Sequence, residues 1–141
     1  MHKTENEQKK EFLLSYKKAK VAVARMEEQL EELRLSKQRP SAINYDGMPH
    51  GTDISDLSDY VAKLDEIEQG LIEARYERIC AFQRIQNQIE TMENEQERAV
   101  LKYRYLGLMG WNKIATKMQR SYRQTLRIHG KALLHFNRTD V

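Results

Sequence analysis

Cysteine, proline and glycine are scarce in this chain, and each scarcity excludes a class of structure. A single cysteine, Cys80, among 141 residues can form no internal disulfide and cannot by itself support a zinc site. Two prolines and six glycines fit a helical protein better than a many-stranded one. No apolar run approaches the about 18 residues of a membrane span, and the polar first residues lack an apolar export signal. We therefore expect a soluble, cytoplasmic, all-α protein that does not enter a membrane.

Acidic residues are almost absent from the last third of the chain. Residues 98–141 contain ten Lys or Arg and one Asp, a charge of +9, whereas residues 1–97 contain 14 basic and 20 acidic side chains, a charge of −6. Together these two parts give the net charge of +3. A helix that is merely solvated normally mixes signs to gain i,i+4 pairs. The carboxylate-free stretch over 98–139 therefore indicates a nucleic-acid-binding segment attached to an acidic scaffold.

The first 39 residues show the apolar spacing of a coiled-coil helix. From Phe12 to Leu33, apolar or small residues recur at alternating intervals of four and three, which is the a/d pattern of a heptad repeat. Pro40 cannot continue a helix, so residues 1–39 are predicted to form an N-terminal heptad helix. Residues 40–56 contain both prolines and several Gly, Asn, Asp and Ser residues, and they are predicted to form a loop.

A second long helix is predicted over residues 57–97. The same alternation runs from Leu57 to Met92, and Ser55 or Asp56 can cap the N-terminus. We expect the two long helices to pair as a coiled-coil-like hairpin. A second apolar stripe beside the first indicates a further neighbour, and its members are Ile72, Ile79, Phe82 and Ile89. Because an isolated hairpin buries little apolar surface, we expect a homodimer through this hairpin, with an intramolecular bundle as the alternative.

Residues 98–141 carry the pattern of a basic helix-turn-helix domain. One helical piece reaches about Tyr105 before two glycines interrupt it, and a second spans Trp111 to Met118. Ser121 is a favourable N-cap for a third helix over residues 122–134. A short helix, a tight turn and a second helix are the parts of a helix-turn-helix, whose second helix enters the major groove of DNA.

The third helix is predicted to have one basic face and one mostly apolar face. At about 100° per residue, five polar residues fall within a sector of about 100°. We call them the basic face: Arg120, Arg123, Gln124, Arg127 and Lys131. Roughly opposite lie the residues expected to pack inward: Tyr122, Thr125, Leu126, His129, Ala132, Leu133 and Phe136.

The residue types of the basic face predict which side chains contact bases and which contact phosphates. Arg pairs well with guanine and Gln with adenine in the major groove, so three residues are predicted to read bases: Arg123, Gln124 and Arg127. Lysine and arginine contacts to phosphate position a protein without reading sequence, and this role is predicted for Lys113, Lys117, Arg120 and Lys131. Arg104 is a further candidate for a flanking phosphate. Ser121, at the helix N-terminus, is expected to help direct backbone N–H groups at a phosphate.

These residues resemble two related groups of proteins. The run from Val100 to Tyr105, the pair Ile114 and Ala115, and the stretch from Ser121 to Leu133 resemble region 4 of bacterial sigma factors, which reads the −35 promoter element. Residues 111–115, with Ser121 to Leu133, look closer still to the ArpU/RinA-like late transcription regulators of phages and prophages. The loop from Gly47 to Thr52, followed by Asp56, also looks like the loop of these regulators, so the resemblance covers about residues 40–136. It implies a helical N-terminal part, a sigma-like helix-turn-helix and a sequence-specific regulator, with a contact to RNA polymerase left open.

The resemblance has three departures. Gln119 stands where the turn of a helix-turn-helix usually has glycine, and Gly107 and Gly110 predict a loose loop before Trp111. Nothing in the chain resembles the sigma region that melts promoter DNA, so a complete sigma factor is not expected.

Other functions have weaker support in the sequence. A small phage DNA-packaging subunit, similar to a small terminase, also joins a helix-turn-helix to a helical oligomerisation region. An adaptor that binds polymerase and barely touches DNA is a further alternative. No cluster of catalytic residue types is evident and the four histidines lack metal-ligand spacing. We therefore expect no enzyme activity, no cofactor and no metal.

Overall fold

The structure, a computed structural model, describes residues 3–38 and 53–137. All regular elements within these ranges are helical, which confirms the predicted all-α class. The elements are α1 (Glu5–Gln38), α2 (Asp53–Glu90), α3 (Glu95–Leu101), a π-helical segment (Lys102–Leu106), α4 (Trp111–Met118) and α5 (Tyr122–His135). Most of the predicted loop 40–56 lies outside the described residues, and so does the predicted capping side chain of Ser55.

The predicted helix over 57–97 is wrong at both ends. α2 already begins at Asp53, and it ends at Glu90. Asn94 then acts as the N-cap of α3, because its backbone is extended and its side-chain oxygen accepts a hydrogen bond from the N–H of Glu97 at 3.0 Å. An asparagine oxygen that satisfies an otherwise unpaired N–H starts a new helix. The heptad spacing continues to Met92 although the helix does not, since Met92 is buried in the core beside the break.

The chain divides into two compact units. The middle unit, residues 21–76, contains the adjoining parts of α1 and α2. Its apolar cluster consists of Val23, Leu30, Ile67 and Leu71, with Met26, Leu33, Leu64 and Ala74 against it. Two ion pairs between the helices flank this cluster, Arg34–Glu68 at 3.4 Å and Arg75–Glu27 at 3.3 Å. These alternating apolar residues were the predicted heptad positions of both helices.

The terminal unit, residues 1–20 and 77–141, contains the start of α1, the end of α2 and all the shorter helices. Its buried core is formed by residues from each of these segments: Leu13, Ile85, Ile89, Met92, Val100, Leu101, Tyr105, Ile114, Ala132, Leu133 and Phe136. Phe12 of α1 lies against Phe136, with 5.8 Å between the ring centroids. The shorter helices are therefore not a free appendage, because α1 and α2 supply part of their core.

Lys9 fastens α1 to the end of α5. Its side chain is only 6% exposed, and its Nζ donates hydrogen bonds to the backbone oxygens of Leu133 at 3.0 Å and Leu134 at 3.2 Å. The last carbonyls of a helix have no partner within the helix, and they carry partial negative charge. The Lys9 ammonium donates to two of these carbonyls. Oε1 of Glu5, one turn earlier on α1, lies 3.6 Å from the Lys9 Nζ.

Candidate nucleic-acid interface

Two short helices and the connection 119–121 form the candidate interface. α4 spans Trp111–Met118, as predicted, and it ends at Gln119, whose φ of 55° and ψ of 43° lie in the left-handed region. The N–H of Arg120 then donates to the oxygen of Ala115 at 3.0 Å. Glycine is the usual residue at such a helix end because it has no Cβ to clash. The departure at Gln119 that the sequence indicated is thus a left-handed glutamine in the structure.

Ser121 begins α5 through a reciprocal pair of hydrogen bonds. Its Oγ accepts from the backbone N–H of Gln124 at 3.1 Å, and its own N–H donates to Oε1 of Gln124 at 3.2 Å. This arrangement is a capping box, which satisfies two otherwise unpaired donors. The predicted start of the third helix is confirmed, and its end, predicted at Leu134, lies at His135.

The capping box affects two of the predicted DNA contacts. A glutamine that reads adenine accepts with its oxygen and donates with its nitrogen. In this structure Oε1 of Gln124 already accepts the Ser121 N–H. The same N–H of Ser121 is thereby engaged within the protein and is not directed at a phosphate. Base reading by Gln124 would require it to share or leave the cap, whereas the side chains of Arg123 and Arg127 bond to no other described residue.

The inward side of α5 is narrower than the sequence predicted. Thr125, Ala132 and Leu133 are buried, and Phe136 follows the helix into the core. Tyr122 and Leu126, both expected to pack inward, are instead 50% and 38% exposed. In the first two turns of α5, Thr125 alone among the described side chains is buried, so the expectation is wrong for Tyr122 and Leu126.

All eight residues predicted to contact DNA are exposed. They are Lys113, Lys117, Arg120, Ser121, Arg123, Gln124, Arg127 and Lys131. None of the six basic side chains in this set forms an ion pair with any described residue. By contrast, Arg34, Arg75 and Arg84 each pair with a glutamate. Positive charge on the basic face is therefore not neutralised within the described chain.

A polar and aromatic cluster behind the basic face was only partly anticipated. His129 of α5 lies with its Nε2 2.8 Å from the hydroxyl of Tyr105, and its ring is 4.6 Å from that of Trp111. Burial, followed by the charges of Lys10 and Arg104, lowers the pKa of His129 to about 4. The ring is therefore neutral near pH 7, which confirms the interpretation of His129 as a packing residue.

Arg104 belongs to this cluster and not to the exposed surface. Its guanidinium lies 4.4 Å from the ring centroid of Trp111, and it donates a hydrogen bond to the oxygen of Met109 at 3.0 Å. The sequence makes Arg104 a candidate for a flanking phosphate contact, but the structure uses its donors partly inside the unit. The α-helical periodicity of the sequence does not indicate the contact between Arg104 and Trp111, because Arg104 lies in a π-helical segment.

Comparisons with known proteins assign no family to this chain. No protein-family model, curated protein or solved structure matches the chain. Among residues 3–38 and 53–137, no helix is long and apolar enough to cross a membrane. In the same ranges, no group of three His, Cys, Asp or Glu side chains could hold a metal ion.

Proposed function

We propose that this chain is a non-enzymatic, sequence-specific DNA-binding regulator that places α5 in the major groove. The observation that carries the proposal is the exposure of the basic side chains on this face, none of which forms an ion pair with a described residue. The sequence around them, residues 98–139, contains no carboxylate. Nucleic-acid-binding domains carry such a clustered positive surface. In this proposal α4, the connection 119–121 and α5 act as a sigma region 4-like helix-turn-helix.

The proposal assigns different tasks to different side chains. Arg123 and Arg127 read base edges, because both are exposed one helical turn apart and no described residue bonds to either side chain. Gln124 contacts a base only when its side chain gives up the hydrogen bond to the Ser121 N–H. The phosphate contacts come from four basic residues and from the backbone N–H groups that follow Ser121 at the start of α5. The four are Lys113, Lys117, Arg120 and Lys131.

The remaining parts of the proposal concern setting and assembly. The resemblance to ArpU/RinA-like regulators supports a role in controlling phage or prophage genes in the cytoplasm of a bacterial host, with RNA polymerase as a candidate partner. We propose that α1 and α2 pair as a hairpin through which the chain forms a homodimer. Supporting a dimer, α2 leaves five large apolar side chains more than half exposed: Leu57, Val61, Ile72, Tyr76 and Ile79.

The salt dependence of binding tests the phosphate contacts. Full-length protein would be titrated by fluorescence anisotropy into a labelled random-sequence duplex at several salt concentrations. Four phosphate contacts predict a slope of log affinity against log salt of about −3.6 for each bound chain. Lys117→Ala should reduce the slope by about 1 and weaken all duplexes alike. Arg25→Ala removes an exposed charge from the middle unit and should leave the slope unchanged.

A selected duplex tests the base contacts. After enrichment of preferred sites from a random library by the full-length chain, Arg127→Ala should lose about 1–3 kcal/mol of binding free energy and accept other bases at one position. Arg25→Ala is the charge-matched control. If Arg127→Ala binds the selected duplex as tightly and as selectively as the unmodified chain, α5 does not read the groove as proposed.

A further inference from the structure

Gly130 lies in the middle of α5, where a glycine lowers the stability of the helix. A glycine inside a helix is about 0.5–1 kcal/mol less stable than alanine, since its backbone loses more freedom on folding. α5 is otherwise well built, with a capping box at its start and the Lys9 ammonium at its end. A glycine retained in such a helix needs a reason either inside the fold or outside it.

The described part of the fold gives no steric reason for this glycine. A Cβ placed on Gly130 would meet no atom of the described residues within 4 Å, and its backbone is ordinary helix. Two other glycines differ in this respect. A Cβ on Gly70 would lie 2.5 Å from Cε of Met26, and one on Gly107 would lie 2.8 Å from the backbone oxygen of Tyr103. Contact with a backbone atom explains Gly107, whereas Cε of Met26 is the end of a flexible side chain that can shift away from Gly70. Gly110 also meets no described atom, but it is the N-cap of α4 and not a residue inside a helix.

Gly130 borders the basic face. At about 100° per residue it lies about 60° from Arg127, on the side of the face that carries Arg123. Leu134, one turn further on, is 68% exposed and has no place in the core. The C-terminal half of this face of α5 therefore carries two uncharged positions. One is the bare backbone of Gly130, and the other is the exposed apolar side chain of Leu134.

A helix in the major groove has little room at its sides. The groove is about 12 Å wide, and an α-helix with its side chains is about 10–12 Å across. The centre of the inserted face meets base edges, and its borders meet the sugar–phosphate walls. Glycine is favoured where a backbone must approach a ligand closely. With Arg127 at the centre, Gly130 lies at a border and faces a wall.

We propose that Gly130 is the point where the sugar–phosphate wall of the groove rests against the backbone of α5. This inference rests on the proposed function, and it adds a steric contact to the charged ones. The missing side chain lets α5 sit deep enough for Arg123 and Arg127 to reach base edges. Any side chain at position 130 holds the helix away from that wall.

The test separates stability from binding in one substitution. Gly130→Ala should unfold at a higher temperature than the unmodified chain, because alanine is the better helix former. It should nevertheless bind the duplex enriched by the unmodified full-length chain roughly tenfold more weakly, and Gly130→Leu should bind at least as weakly as Gly130→Ala. Because no charge is removed, the salt dependence of binding should stay the same. Ala22→Leu, an exposed position on α1, controls for added apolar bulk and should bind normally.

The outcomes distinguish this inference from the function beneath it. If Gly130→Ala is folded and binds the selected duplex as tightly as the unmodified chain, the wall contact is wrong and the proposed function stands. If the unmodified chain enriches no duplex, both are wrong. A Gly130→Ala protein that is more stable yet binds more weakly supports the contact, since a purely structural role for Gly130 predicts no such divergence.

Discussion

The contact of Lys9 with the end of α5 yields a prediction that can be worked through from the structure. Lys9→Met keeps most of the buried stem and removes the ammonium. The two backbone oxygens of Leu133 and Leu134 then lose a donor that lies 3.0 Å and 3.2 Å away. Because Lys9 is only 6% exposed, water cannot readily replace that donor.

The magnitude follows from opposing terms. Hydrogen bonds to a charged group contribute about 1.5–3 kcal/mol, and a partly buried cation at a helix C-terminus contributes up to about 2 kcal/mol. The cost of burying the ammonium offsets part of this gain. We expect Lys9→Met to lower the free energy of unfolding by about 2 kcal/mol, chiefly through unsatisfied carbonyls at the end of α5.

Urea unfolding followed by circular dichroism measures this difference. Lys18→Met is the matched control, because Lys18 is exposed on the same helix and should change stability by less than about 0.5 kcal/mol. All variants should be compared at one protein concentration, since stability depends on concentration if the chain dimerises. A Lys9→Met protein that unfolds at the same urea concentration as Lys18→Met, with the same slope, would refute this account of how α5 is held.

Three further predictions concern the candidate interface. Ser121→Ala removes half of the capping box and should destabilise the chain by about 1 kcal/mol in urea, and an effect below the error of the measurement would contradict the cap. Gln119→Gly should raise stability by about 0.5–1 kcal/mol, because glycine adopts the left-handed conformation without a Cβ clash; a loss of stability would contradict the strained turn. His129 has a folded pKa of about 4, below the ordinary 6.5, so the unfolded chain binds its proton first as the pH falls. The stability that this residue contributes is complete above about pH 6.5 and is lost towards pH 4; allowing for solvent screening of a half-buried ring, the loss between pH 7 and 5 is about 1 kcal/mol. His129→Phe should flatten that part of the pH profile, and an unchanged profile would contradict the shift.

The features that the sequence predicts best are those set by neighbouring residues. The bounds of α4 and the start of α5 depend on Ser121, on local periodicity and on the glycines before Trp111, and helix signals of this kind act over a few residues. The exposure of the basic face follows from the same periodicity. For these elements the chain and the structure agree almost residue by residue.

The features that sequence reasoning missed depend on distant contacts or on competing local ones. Lys9 meets α5 across more than 120 positions of the chain, and no periodic pattern in either helix indicates that pairing. The heptad spacing passes through the break between Glu90 and Glu95, because Met92 is buried whether or not the helix continues. Gln124 was assigned to a base by residue type alone, whereas its position three residues after Ser121 also makes it the partner in a capping box.

Selection of binding sites from a random duplex library by the full-length chain, at physiological salt, tests the central claim most directly. The account predicts an enriched sequence whose preference relaxes at one position in Arg127→Ala and persists in Arg25→Ala. An inverted repeat would support a symmetric dimer, and a single asymmetric element would support a sigma-like role beside polymerase. Salt-sensitive binding with no enriched sequence would contradict base reading by α5.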